Sequence, residues 1–421
     1  MITIILGVVV FLIIGLALAL MILAAKARLV KEELCSIKIN NDDSIGFEVD
    51  GGGTLLNVLT THKIPVPSPC GGKATCKQCK VQIVEGAPDA LDTDRGTFSD
   101  QEIRSGWRLS CQSKVKSDMA LELPESLLNV KQIKGRVIES KNVATFIKEI
   151  AIELPEDIEY RAGGYMQFYV PEFVANTSDW KASMDPKYHG DWERFGMFNQ
   201  RLDFSAMDEE VIRAYSMASY PAEGRRLLFN VRIATPPFAK KGFKNVPWGI
   251  CSSYLFSLKE GEAVTLSGPY GESFMIDDER EVVFLIGGAG SSFGRSHIMH
   301  LFKTEKTKRP VTLWYGARSL KENIYQEEYE ALASLHDNFN YHLVLSEPTE
   351  EDLEGGWPKE DPVKTGFLFK AFQEGQLKTL KEPENLLYYV CGPPMHNQSV
   401  LKLLDDYGVD PENIVLDDFG S

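Results

Sequence analysis

The sequence predicts a multi-domain chain in four successive parts. These are an N-terminal transmembrane helix, a β-grasp domain, an antiparallel β-barrel domain and an α/β parallel-sheet nucleotide domain. Three observations predict this. Residues 2–25 hold no charged side chain and are dominated by Ile, Leu, Val and Ala. Four cysteines follow, spaced Cys70-x5-Cys76-x2-Cys79-x31-Cys111. The hydrophobic pattern then changes twice, from alternating runs broken by Gly and Pro to continuous apolar runs separated by helical stretches. The expected boundaries are 1–31, 32–130, 131–277 with an insertion at 172–212, and 278–421.

The apolar N-terminal stretch is long enough to cross a bilayer once. Lys26, Arg28 and Lys31 come directly after it, whereas a secretory signal carries its charge before the apolar run. The positive-inside rule then puts Met1 outside and the remainder in the cytoplasm. A bacterial inner-membrane protein anchored by one helix is expected. That helix has no ionisable residue and offers no ion pathway of its own. Net charge is −15, which argues against nucleic acid, since phosphate binding wants a Lys/Arg surplus. Seven cysteines in 421 residues are too few for a disulfide scaffold and suit a reducing compartment.

Thiolates are soft ligands, and four gathered at one point hold a metal or an iron–sulfur cluster. Cys70, Cys76 and Cys79 share one short loop and Cys111 arrives from far along the chain. That asymmetry suits a [2Fe–2S] cluster; a structural zinc site more often shows two paired C-x2-C knuckles, and only Cys76/Cys79 form one here. Gly71 and Gly72 fit a loop that needs unusual backbone angles. Around it, residues 36–40 and 80–84 read as strands, and 54–61 and 99–105 as short helices. A small sheet crossed by a helix is the β-grasp pattern of ferredoxins.

Residues 135–139, 147–153, 165–170, 226–234 and 263–266 alternate as barrel strands. The stretch 172–212 interrupts them, is polar, holds Trp180 and Trp192, and has no clear period. Runs at 282–286, 311–315, 341–345 and 387–391 are buried-type strands of a parallel sheet. Residues 347–361 read as a charged surface loop.

Arg213-Ala-Tyr215-Ser216 begins a barrel strand. An Arg can clamp a diphosphate, a Tyr on the same face can stack on a flavin ring, and the Ser hydroxyl can bond near its reactive nitrogen. In isolation this also suits an ordinary edge strand. Gly249-Ile-Cys-Ser252-Ser253 offers N–H and O–H groups to phosphate, or a plain helix cap. Gly287-Gly288-Ala-Gly290 after an apolar strand is a nucleotide-type turn. Cys391-Gly-Pro-Pro394 ends a parallel strand, where Cys391 can touch a nicotinamide as a polarizable neighbour, or be a buried core Cys. Nicotinamide gives two electrons as hydride and an iron–sulfur cluster takes one at a time. A flavin between them converts one to the other.

These residues together resemble the ferredoxin–NADP reductase superfamily with an N-terminal ferredoxin domain. Within it they are similar to the NADH-oxidising subunits of sodium-translocating NADH:quinone oxidoreductases. The resemblance runs over essentially the whole chain and includes Arg213-Ala-Tyr-Ser-Met217, Gly249-Ile-Cys-Ser-Ser-Tyr254, Ser267-Gly-Pro-Tyr-Gly271, Cys391-Gly-Pro-Pro-Met395 and Leu416-Asp-Asp-Phe-Gly420. It implies hydride transfer from NADH to noncovalent FAD, single-electron transfer to a [2Fe–2S] cluster on Cys70, Cys76, Cys79 and Cys111, and onward flow to other membrane subunits that reduce ubiquinone and export sodium. By position it puts Arg213, Tyr215 and Ser216 on the flavin, with Gly249, Ser252 and Ser253 near its phosphates. Gly288, Gly290 and Cys391 fall in the nicotinamide site, and Phe419 covers the flavin ring until NADH displaces it. Ser216, Cys391 and Phe419 are then the catalytic candidates. Two departures stand out. Ser291-Ser-Phe-Gly294 replaces the usual Met-Ala-Pro-Met, and Gly294 is expected to loosen the helix start. Lys73, Ala74 and Lys77 stand where small residues or Gly are usual. Arg318 is a charge that could tolerate a 2′-phosphate. The alternative reading is the reductase component of a multicomponent oxygenase, which shares all three cofactors.

Overall fold

The computed structural model describes residues 7, 11–19, 21, 34–124, 127, 130, 132–207, 210–239 and 242–418. The expected span at 2–25 lies largely outside them; residues 7, 11–19 and 21 are helical and exposed. Among the described residues no helix is long and apolar enough to cross a membrane. The expectation at Phe419 also falls outside the described residues.

The chain divides into two compact units, one of residues 1–66 with 79–125, the other of 67–78 with 126–421. The first holds a five-stranded mixed sheet in the order Asp42–Asp50, Leu34–Ile39, Met119–Glu122, Lys80–Glu85, Trp107–Leu109. Only the pair between Leu34–Ile39 and Met119–Glu122 is parallel. The helix Leu55–Thr61 is capped by the Thr54 hydroxyl, which accepts from the Asn57 N–H, and it buries Leu55, Leu56 and Leu59. Ile37, Ile39, Val81, Ile83 and Leu121 of the sheet are buried as well, as a β-grasp core requires. Each such aliphatic side chain contributes roughly 1.5–3 kcal/mol by leaving water. The helix Asp100–Arg104 has a capping box between Ser99 and Glu102.

The second unit contains a six-stranded antiparallel sheet in the order Val211–Ser216, Tyr165–Val170, Ala263–Tyr270, Gln132–Ala144, Ile147–Glu153, Arg226–Arg232. An isolated bridge between Met217 and Phe229 ties its two end strands, so the sheet closes as a barrel. It also contains a five-stranded parallel sheet in the order Phe339–Leu345, Val311–Ala317, Val282–Gly287, Leu387–Cys391, Ile414–Asp417. The last of these strands, only four residues long, is not among the runs expected from sequence. A four-residue edge strand is too short to show a hydrophobic period.

Residues 172–212 are not irregular. The strands Phe173–Asn176 and Arg201–Phe204 pair antiparallel and enclose short 3-10 turns and the helix His189–Arg194. Trp180 and Trp192 are buried, in one core with Phe256 of the helix Ile250–Ser257 and Leu266 of the barrel, so their role is packing. The stretch 347–361 contains the helix Glu350–Glu354, started by a capping box between Thr349 and Asp352.

Candidate functional site

The strand Val211–Ser216 brings three of the expected residues to a cleft of about 670 Å³. Arg213, Tyr215 and Ser216 line it with Gly249, Ser252, Gly290 and Cys391. Pro69, Cys70 and Lys73 of the cysteine loop line it as well. Ser253 does not, and Gly288 opens instead on a neighbouring cavity of about 520 Å³. Arg232, Gly287 and Pro393 are shared by both cavities.

Ser216 Oγ donates to Asp417 Oδ2 at 3.0 Å. Burial pushes the Asp417 carboxyl up to about 7, against the lowering effect of that hydrogen bond. Asp417 ends the edge strand and sits in register with Cys391. Burial also holds the Cys391 thiol well above its ordinary range, so it stays protonated and is no nucleophile. Asp417, the hydrogen-bond partner of Ser216, is the residue that sequence reasoning passes over. It lies inside the Leu416-Asp-Asp-Phe-Gly420 motif, and an acid following an apolar run is the available signal.

The Tyr215 ring meets Phe168 edge-on at 5.5 Å. Its hydroxyl lies against the Cys251 thiol, which burial raises to about 12. The Arg213 guanidinium donates to the Ile212 carbonyl at 2.7 Å and packs on Gly71, where a Cβ would lie 2.3 Å from Nη1. The helix Ile250–Ser257 begins at Gly249 with no side-chain cap. A Cβ at Gly249 would come within 2.6 Å of the Ala234 Cβ, so only glycine admits the turn. Ser252 Oγ accepts from the Ala234 N–H and donates to the Gly249 carbonyl. The buried Ser253 hydroxyl has no hydrogen-bond partner among the described residues. Uncapped first-turn N–H groups beside a cationic cleft are suited to a dinucleotide's phosphates.

At the glycine turn, a Cβ on Gly290 would lie 2.4 Å from the Cys391 carbonyl oxygen, so turn and strand end touch. The helix Ser291–Met299 starts directly after it, and Gly294 does not delay that start. Gly294 lies against Ile286, with 3.2 Å from an added Cβ to the Ile286 side chain, and Phe293 is wholly buried. The two serines replacing Met-Ala are engaged with the barrel. Ser292 Oγ accepts from the Asn230 N–H and Ser291 Oγ from Asn230 Nδ2, each at 3.1 Å. Arg318 is 3.7 Å from Glu322 and lies over the Phe146 ring. Lys321 Nζ reaches Asp191 of the insertion at 2.5 Å.

The cysteine loop turns through four residues of positive φ: Gly71, Gly72, Ala74 and Lys77. Ala74 and Lys77 hold the left-handed region without glycine's freedom, at roughly 1–2 kcal/mol each. The turns bring Cys70 Sγ and Cys76 Sγ to 3.2 Å. One proton shared by the two sulfurs lowers Cys70 to about 4 and raises Cys76. In the first unit the Cys79 carbonyl accepts from the Ser110 N–H and hydroxyl, and Gln112 Nε2 donates to Cys111 Sγ. Among the described residues none of these cysteines is in a disulfide, and thiolates are the donors an iron–sulfur cluster takes.

Three family models match in order: a 2Fe-2S iron-sulfur cluster binding domain at 38–116, an oxidoreductase FAD-binding domain at 198–274 and an oxidoreductase NAD-binding domain at 284–400. Fold, cleft and models together define an iron–sulfur flavoprotein oxidoreductase using a nicotinamide cofactor. Two solved structures share this fold. They are a cytochrome P450 reductase from Amycolatopsis (TM-score 0.59, 21% identity, 91% of this chain and 98% of that one) and the ferredoxin reductase in carbazole 1,9a-dioxygenase (0.55, 18%, 92% and 98%). At such identities the likeness shows the fold alone.

Relatives along the full length decide the family. The F subunit of the Na(+)-translocating NADH-quinone reductase of Chlamydia felis is 58% identical over 98% of this chain and 96% of its own. Its counterpart in Neisseria gonorrhoeae, of the same name, is 45% identical over 99% of each. The chain belongs to this family, the F subunits of Na(+)-translocating NADH-quinone reductases.

Proposed function

We propose that this chain is the electron-input subunit of a sodium-pumping NADH:quinone oxidoreductase, and that its flavin cleft is the one lined by Arg213, Tyr215, Ser216, Ser252 and Cys391. The observation that carries this reading is that those residues and Cys70 line a single cleft. When bound there, FAD would accept hydride from NADH and release electrons singly to a [2Fe–2S] cluster on Cys70, Cys76, Cys79 and Cys111. Arg213 and the N–H groups after Gly249 would hold its diphosphate, with Ser252 and Ser253 beside them. Tyr215 would stack on its ring and Ser216 would orient it, Asp417 fixing the Ser216 hydroxyl. Gly288 and Gly290 leave room for the nicotinamide dinucleotide to approach Cys391. Phe419, two residues beyond Asp417, would cover the ring until NADH arrives.

The same reading takes residues 2–25 as a single inner-membrane anchor with the catalytic domains in the cytoplasm. It takes 32–130, 131–277 and 278–421 as cluster, flavin and nucleotide domains. Electrons would pass from the cluster to partner membrane subunits, which reduce ubiquinone and move sodium. The test is NADH oxidation in native membranes, with and without sodium, before and after disruption of the gene. Sodium-stimulated activity that disappears on disruption is expected. Activity that disappears but ignores sodium would move the acceptor to another partner.

A further inference from the structure

The cleft's charges are uneven. Lys73, Arg213 and Arg232 face one carboxylate, that of Asp418, so the cleft suits an anionic ligand. Two of those cations are barrel residues, but Lys73 comes from the cysteine loop, between Cys70 and Cys76. Its side chain is exposed. Its place at the cleft is fixed by two anchors that grip the loop near its two ends.

Near the start, Gly71 at φ 65° lets the Arg213 guanidinium approach closer than any side chain would allow. At the far end, the Tyr165 hydroxyl donates to Gln78 Oε1 at 2.8 Å. Tyr165 pairs with Ser216 and Phe168 with Arg213, so both anchors come from the strand pair that walls the cleft.

We propose that Lys73 is a flavin-contacting residue: its ammonium takes up negative charge of the FAD held in this cleft, which makes the loop segment between Cys70 and Cys76 part of the flavin site. This rests on the reading that FAD occupies the cleft. The anion is either the diphosphate, present in both redox states, or the reduced ring. An ammonium placed as a point charge serves either.

The experiment is titration of the deflavinated full-length chain, cluster intact, with FAD, together with the midpoint potential of the bound flavin. Lys73→Gln is compared with Lys73→Arg, Lys77→Gln and Arg213→Ala. Lys77 carries the same charge on the same loop but does not line the cleft. Loss of one charge-assisted contact should weaken FAD binding roughly tenfold at low salt, and the gap should narrow near about 0.5 M salt. Lys73→Arg should restore the affinity, and Lys77→Gln should leave it unchanged. Equal weakening in both redox states assigns the charge to the diphosphate, and weakening confined to the reduced state, seen as a lower potential, assigns it to the ring. The cluster's spectrum confirms that each variant loop still holds iron. Unchanged affinity and potential in Lys73→Gln, with Arg213→Ala weakened, would overturn the role of Lys73 alone. If Arg213→Ala is also unchanged, the cleft reading falls with it.

Discussion

Asp417 shows how much one buried carboxyl can set. Its folded pKa of about 7 lies above the ordinary carboxylate value because burial disfavours its charge. Below about pH 4 both folded and unfolded chains hold the proton. Between there and pH 7 the unfolded chain releases it first, so stability falls as pH rises, by about 4 kcal/mol at most. Asp417→Asn should flatten that part of the stability–pH curve, measured by urea unfolding from pH 4.5 to 8. A curve with unchanged slope would show that Asp417 is not the titrating group. Cys391 gives a second expectation. With a thiol held protonated by burial, Cys391→Ser should keep hydride transfer within about tenfold. Iodoacetamide should leave the native Cys391 unmodified, and rapid alkylation there would contradict its burial. Sequence reading singles out Cys391 and Ser216 as candidates because each lies in a short motif. It misses their partner Asp417 because 201 residues separate it from Ser216, and no local pattern reports a contact at that range.

At the scale of elements, legibility follows how far a segment's hydrophobic pattern stands out from its flanks. The strands Ile147–Glu153, Tyr165–Val170 and Leu387–Cys391 coincide with the apolar runs that announce them. The helices Glu350–Glu354 and His189–Arg194 are of similar length but mostly polar, and the strands Ile414–Asp417, Phe173–Asn176 and Arg201–Phe204 have four residues each, too few to show a period. The strand Ile147–Glu153 also carries a cost that its pattern hides. Lys148 is almost wholly buried, its ammonium donating to the Phe256 carbonyl at 2.8 Å, and burial lowers its pKa to about 8. Between pH 8 and about 10.5 the unfolded chain binds the extra proton, so stability rises with pH across that window. Lys148→Met should abolish this rise. Its net effect at pH 7 should be small, because the relief of a buried charge is offset by the Phe256 carbonyl left without its donor. Chemical denaturation at pH 7 and pH 10 checks both points. A slope that persists in the variant would locate the titration elsewhere.

At the scale of the whole second unit, barrel and parallel sheet are joined by an apolar core that takes in Ala144 and Ile147 of the barrel with Phe284 and Leu313 of the sheet, and by buried polar contacts beside it. Arg295, in the helix after the glycine turn, pairs with Glu223 at 2.9 Å and Glu328 at 3.0 Å and donates to the Ala218 carbonyl. Asn230 reaches Ser291, and the Tyr325 hydroxyl reaches Glu149 at 2.6 Å. Replacing Arg295 by Leu leaves two carboxylates without their cation, at a cost of about 3 kcal/mol. Thermal unfolding should then separate into two transitions, barrel and nucleotide sheet. A single sharp transition at the wild-type temperature would show that the clasp is not what couples them. The order of the three cofactor regions is plain in the sequence, since four cysteines, the Arg213-Ala-Tyr215-Ser216 stretch and one glycine-rich turn mark them. The clasp is not, because an Arg and two Glu from separate segments look like any other surface charges until folded.

The indoles of Trp180 and Trp192 cross at 81° with centroids 5.9 Å apart, inside the insertion's shared core with the barrel. Two chromophores so close and so nearly orthogonal are an optical reporter already present in the chain. Their coupled transitions should give the near-ultraviolet dichroism a signature specific to this segment. Loss of that band with the rest of the spectrum intact would mark the insertion coming loose on its own, without a label or a cofactor.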